Sequence, residues 1–186
     1  MKALIVLAIV AGVVFLLASG CSVQFYSSHS GSTASAAVTD VFAIRDAAAG
    51  THADEAANGV YLVLDRAVRM GDGPGAALIR QRVPALAAAA VSEMDLVRQR
   101  LAAVHLHTST GTNCRAALIR LASRVQWVFR TFGTDVEAGG STWRAVDRFD
   151  SGLKTLVRSY SSDLAPCLAA APAEDRDTIE RGMRLY

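Results

Sequence analysis

For residues 37–186 the sequence predicts an all-α fold, a single antiparallel bundle of four to five helices held by one disulfide. Three observations carry this. Apolar residues recur at intervals of three and four along three separate stretches, the period that gathers them on one face of a helix. Those stretches are divided by glycine-rich breakers at Gly71-Asp72-Gly73-Pro74-Gly75 and at Gly139-Gly140. No alternating strand pattern of useful length and no internal repeat is present; Val60 to Leu64 reads as a strand in isolation, but it would have no partner.

The first helical region runs from about Ala37 to Met70, with interruptions expected near Gly50 and near Asn58-Gly59. Thr51 followed by Asp54 and Glu55 resembles an N-terminal cap, because a hydroxyl and two carboxylates suit the unpaired N–H groups and positive end of a helix. A second helix is expected from about Ala76 to His107, with Ile79, Val83, Leu86, Ala90, Met94, Val97, Leu101 and Val104 on its apolar face. Pro84 inside it predicts a kink or a short leading helix. Thr110 to Asn113 reads as a turn, with Thr112 or Asn113 capping a third helix that carries Leu118, Leu121, Val125, Val128, Phe129 and Phe132 and ends at Gly133. A fourth helix, capped by Ser141 or Thr142, places Val146, Phe149, Leu153, Leu156, Val157, Tyr160 and Leu164 on one face before Pro166. A last short helix is expected over Ala173 to Leu185, after Pro172.

Cys114 and Cys167 lie almost equally far on either side of Gly139-Gly140, so a helical hairpin turning there brings them level. Each also continues the apolar stripe of its own helix. Two such cysteines in an oxidising compartment should pair, and closing a loop of about 52 residues stabilises by roughly 4 kcal/mol through chain entropy. No Cys-x-x-Cys run or cationic neighbour marks a redox-active pair, and no Cys-x-x-Cys-His run marks haem attachment.

Ahead of the helical region stand two segments of different character. Residues 1–20 start with Lys2 and continue as an unbroken apolar run from Ala3 to Ala18. About 16 apolar residues are fewer than the roughly 20 that cross a bilayer, and the run ends in small residues, as an export signal does. Ser19-Gly20-Cys21 follows, and Ala18-Ser19-Gly20-Cys21 resembles the lipobox of bacterial lipoproteins, with Ala18 where that pattern most often carries leucine. The resemblance implies that Cys21 is diacylated on sulfur and becomes the first mature residue. The chain has three cysteines, so lipidation of Cys21 would consume the thiol left over by the Cys114–Cys167 pair. Residues 21–36, rich in serine and without apolar periodicity, read as the lipid-bearing cysteine and a flexible tether, because such a segment buries too little surface to offset its ordering entropy.

Composition excludes more than it identifies. The formal net charge is +2 over 186 residues, and loss of residues 1–20 removes only Lys2, so neither a nucleic acid nor another polyanion is an expected partner. His105 and His107, one residue apart near the end of the second helix, would point to opposite sides of it and suit its negative end better than a shared metal. His52 with Glu55 reverses the Glu-x-x-His order of di-metal bundles and has no second copy. No Gly-x-Ser-x-Gly or Ser-x-x-Lys motif is present, and the carboxylate pairs Glu93 with Asp95 and Asp147 with Asp150 fall where solvated helix faces put them. Gly71 to Gly75 lacks the lysine and the preceding strand of a phosphate loop. No cofactor, metal or catalytic residue is therefore expected.

One surface stands out. Trp127 falls off the apolar stripe of the third helix and shares its outer face with Arg120, Arg124 and Thr131, while Trp143 opens the fourth helix beside Arg144. Tryptophan and arginine together are enriched at binding hot spots. The competing reading has Trp127 covering another helix, with arginine stems packed on it. The expected role is that of a non-enzymatic interaction or accessory protein of a bacterial envelope, held at the membrane by lipid on Cys21 and working with an envelope protein partner. In general form this is similar to helical envelope lipoproteins such as secretion pilotins, which are also disulfide-clamped, though no motif is shared. Two alternatives stay open: a bundle that carries a small apolar ligand between its alanine-rich first half and its aromatic second half, and a phage or mobile-element lipoprotein that blocks superinfection.

Overall fold

The computed structural model describes residues 35–49 and 51–183, so the expected export signal, Cys21 and nearly all of the tether lie outside the described residues. Within it the fold is all-helical, with six helices and no strand among the described residues: α1 (Ala36–Ala49), α2 (Ala53–Met70), α3 (Asp72–Ala103), α4 (Ser109–Glu137), α5 (Thr142–Ala169) and α6 (Arg176–Met183). The four long helices α2 to α5 run alternately up and down, and α1 and α6 are short pieces packed at one end.

Local punctuation is overridden at several places where packing outweighs propensity. α1 ends at Ala49 and α2 starts at Ala53, in the region where a break is expected, but Asn58-Gly59 lies inside α2 because Gly59 faces Leu86, whose Cδ2 would stand 3.1 Å from an added Cβ. The cap position of α2 is His52 rather than Thr51; the buried Thr51 hydroxyl bonds back to the Ala48 carbonyl, and the His52 N–H is taken by the Glu93 carboxylate at 3.0 Å. Only Gly71, at φ 80°, separates α2 from α3. α3 therefore starts four residues before Ala76, with Pro74 in its first turn, where a missing N–H costs nothing. It continues through Pro84 without a separate leading helix and ends at Ala103, four residues before His107.

Thr108, not Thr112 or Asn113, caps α4, accepting the Gly111 N–H at 3.0 Å. α4 runs past Gly133 to Glu137, since Gly133 is buried against α3, where the Ala87 Cβ would lie 3.2 Å from an added Cβ. Ser141 caps α5 as one of the two residues expected to do so, and α5 continues through Pro166 in its last turn to Ala169. Ala173 to Asp175 precede α6 rather than opening it.

Each long helix packs on its neighbours in sequence, and α2 and α5, at the two edges, do not pack on one another to any extent. The arrangement is thus an open row whose α3 and α5 approach each other where the Arg80 guanidinium donates to the Thr142 hydroxyl at 3.0 Å. α1 packs on α4 and α3, and α6 on α1 and α5. Between α3 and α4 the buried Gln126 donates to the Val91 carbonyl at 3.2 Å and accepts from Arg98 at 3.3 Å. Ala87 and Ala90 are buried, and at Ala87 the small side chain lets α3 approach Gly133 of α4 closely. The aromatic part of the core is Phe149 stacked on Phe132, with centroids 4.3 Å apart, and edge-on to Phe129 at 5.2 Å. Cys114 in the second turn of α4 and Cys167 in the last turn of α5 form the expected disulfide, with Cα atoms 4.4 Å apart.

Candidate binding groove

A helix pair packed through one stripe of each partner leaves a furrow on its outer side, and how deep it is depends on the side chains that flank the contact. On the outer side of α4 and α5 the flanking residues are unequal. α4 contributes Trp127, and α5 contributes Ser151, Gly152 and Thr155. Gly152 sits against Val128, whose methyl carbons would be 3.2 and 3.3 Å from an added Cβ, so the two backbones approach closely there. The result is a groove of about 650 Å³ with Val128, Phe132, Phe149 and Leu156 as its floor.

Trp127 is 63% exposed, the most exposed of the large apolar side chains described. At that exposure it is not covered by another helix among the described residues, which runs against the competing sequence reading. An indole left in water forgoes on the order of 2 kcal/mol of burial, which sets it apart from the aromatics beneath it.

The four surface residues singled out in the sequence separate in space. Trp127 and Arg124 both line the groove. Arg120 is exposed one turn nearer the start of α4, beyond the groove's edge. Trp143 is elsewhere, half-buried against the core, with its indole N–H buried and without a hydrogen-bond partner among the described residues. The α5 wall was not legible in the sequence as a site. Its only signal is the run of small residues Ser151, Gly152 and Thr155 on the face opposite a tryptophan, a pattern equally common on solvated helices.

Charge at the groove is almost balanced. Arg124 pairs with Asp163 of α5, which also accepts from the Ser159 hydroxyl, and Arg148 pairs with Asp135 of α4 at 2.9 Å. Asp147 lies exposed on the rim and has no ion-pair partner among the described residues. Its companion Asp150 is bonded to Lys154 and keeps its second oxygen, Oδ1, buried without a partner among the described residues.

The histidines lie away from this groove. His105 and His107 are exposed beyond the end of α3 rather than in its last turn, and His52 forms an exposed pair with Glu55 at 3.2 Å. Among the described residues no group of three or more His, Cys, Asp or Glu side chains is placed to hold a metal.

A second charged feature went unread in the sequence. Asp40 of α1 is 1% exposed and accepts the N–H groups of His107 (3.0 Å) and Thr108 (2.8 Å) and the Thr108 hydroxyl (2.6 Å). Desolvation works to raise its pKa, but these hydrogen bonds, the Thr108 hydroxyl foremost, outweigh it and hold the carboxyl below its ordinary range. Since Thr108 in turn caps α4, the carboxylate is coupled through one hydroxyl to the positive end of that helix. Gly111 is required beside it, because an added Cβ would come within 2.5 Å of Asp40 Oδ2.

No protein-family model, curated protein or solved structure matches this chain.

Proposed function

We propose that this protein is an exported, lipid-anchored accessory protein of a bacterial envelope whose helical domain binds rather than catalyses, and that the α4/α5 groove is its binding surface. The observation that carries the binding role is Trp127, an exposed tryptophan on the lip of an apolar groove, the residue type most enriched at hot spots. The address rests on the apolar run of residues 3–18 and Cys21, and the Cys114–Cys167 bond supports it, since disulfides persist in oxidising compartments. Among the described residues no helix is long and apolar enough to cross a membrane, so a membrane location would rest on the N-terminal segment.

The placement suits an anchored protein. Ser35, where the tether would join, bonds to Asp175, and α1 meets the start of α4 through Asp40. The groove begins at Ser123, some 14 residues or roughly 21 Å further along α4, so its mouth stands away from the anchored end.

Two measurements test the proposal. Intact mass of membrane-extracted protein should equal residues 21–186, less two hydrogen atoms for the disulfide, plus a diacylglyceryl group on the Cys21 sulfur, and Cys21→Ser should abolish that species; a full-length, unacylated mass would refute the anchor. A photo-crosslinking residue at Thr131 should trap an adduct that is lost in Trp127→Ala, whereas the same residue at Leu62 on α2 should not. Equal yields from both positions would refute the groove.

A further inference from the structure

Ion pairs between α4 and α5 span the groove near both of its ends. Arg124 of α4 reaches Asp163 of α5 at one end, and Asp135 of α4 takes Arg148 of α5 at the other. These pairs stand 11 residues apart on α4, roughly 16 Å along a helix axis. A partner helix, about 10 Å across and laid lengthwise, would have to ride over both bridges. A compact molecule would not.

The lining also sets the occupant's polarity. Of the four hydroxyls in the lining, that of Ser123 donates to the Ile119 carbonyl at 2.8 Å and that of Thr155 to the Ser151 carbonyl at 2.9 Å, so two are spent within their own helices, and those of Thr131 and Ser151 are left for a neutral polar group. Both arginines are neutralised by aspartates of the facing helix. The one charge on the rim without a described partner is the Asp147 carboxylate, which repels an anionic head group. A volume of about 650 Å³ falls within the ordinary range for small-molecule sites.

Resting on the reading of the groove as the binding surface, we infer that it is a site for a small, uncharged apolar molecule up to about 16 Å long, held between Trp127 and the Gly152 wall. Anionic amphiphiles of the same length are selected against by Asp147.

The test uses the full chain with Trp143→Phe, which leaves Trp127 as the only tryptophan, and titrates 1-decanol and decanoate below their aggregation limits. Decanol should shift Trp127 fluorescence saturably, decanoate should bind about threefold to fivefold more weakly, and Asp147→Asn should remove that difference. Thr155→Phe, a substitution at an exposed rim position that fills the groove without touching the core, should weaken decanol about tenfold while circular dichroism stays unchanged. No saturable response, decanoate binding as tightly as decanol, or indifference to Thr155→Phe would overturn the inference. If decanol fails but the Thr131 crosslink is still lost in Trp127→Ala, this inference alone falls. If both fail, the groove reading falls with it.

Discussion

Asp40 shows how much one buried carboxylate can organise. Its folded-state pKa is depressed, so its contribution to stability is fully present above the ordinary value of 3.8 and is lost as pH falls through the lower, folded value. The melting temperature should therefore stay level from neutral pH to about 5 and fall below about 4. Asp40→Asn should cost about 1–3 kcal/mol at pH 7, because an amide turns one donor group toward N–H and O–H donors, and it should flatten the acid limb of that profile. An unchanged acid limb would show that other carboxylates control it. Trp127→Ala is the contrasting case: with the indole exposed, urea unfolding should change by no more than about 0.5 kcal/mol while groove binding is lost. The sequence marked Trp127 as off the apolar stripe, which is a local fact. It could not mark Asp40, whose partners lie 67 and 68 residues away and exist only once α1 meets the start of α4.

Among the helices, the apolar period located α3, α4 and α5, while the break expected at Asn58-Gly59 falls inside α2 and most other departures fall at helix ends. Gly133 and Pro166 have the composition of stop signals, yet α4 and α5 pass through both. A glycine inside a helix costs about 1 kcal/mol relative to alanine, and at Gly133 close packing against Ala87 offsets it. Pro84 poses the opposite balance. Inside α3 it removes one backbone hydrogen bond and crowds the preceding turn, at a cost of about 3 kcal/mol, while it limits the unfolded chain by about 1 kcal/mol. The first effect is larger, so Pro84→Ala should raise stability by about 2 kcal/mol in urea unfolding. A lower stability would mean that the packing of the half-buried ring outweighs the lost hydrogen bond.

At the scale of the whole molecule, an open row of helices depends on what holds its edges. α5 packs mainly on α4, and the Cys114–Cys167 bond ties the end of one to the start of the other across 53 positions. The Cys114→Ala, Cys167→Ala variant should lose roughly 4 kcal/mol, read as a matching fall in stability by denaturant titration, and reducing agent should lower the wild type to the same value. Wild-type stability indifferent to reductant would place the clamp elsewhere. By itself the sequence determined the helical class and the pairing of Cys114 with Cys167, because period and counting from a turn are properties of the chain alone. The tertiary structure decided the rest. A groove between Trp127 and Gly152, its two spanning ion pairs and the Asp40 clamp each join residues from different helices, and no pattern along one helix encodes what stands opposite it.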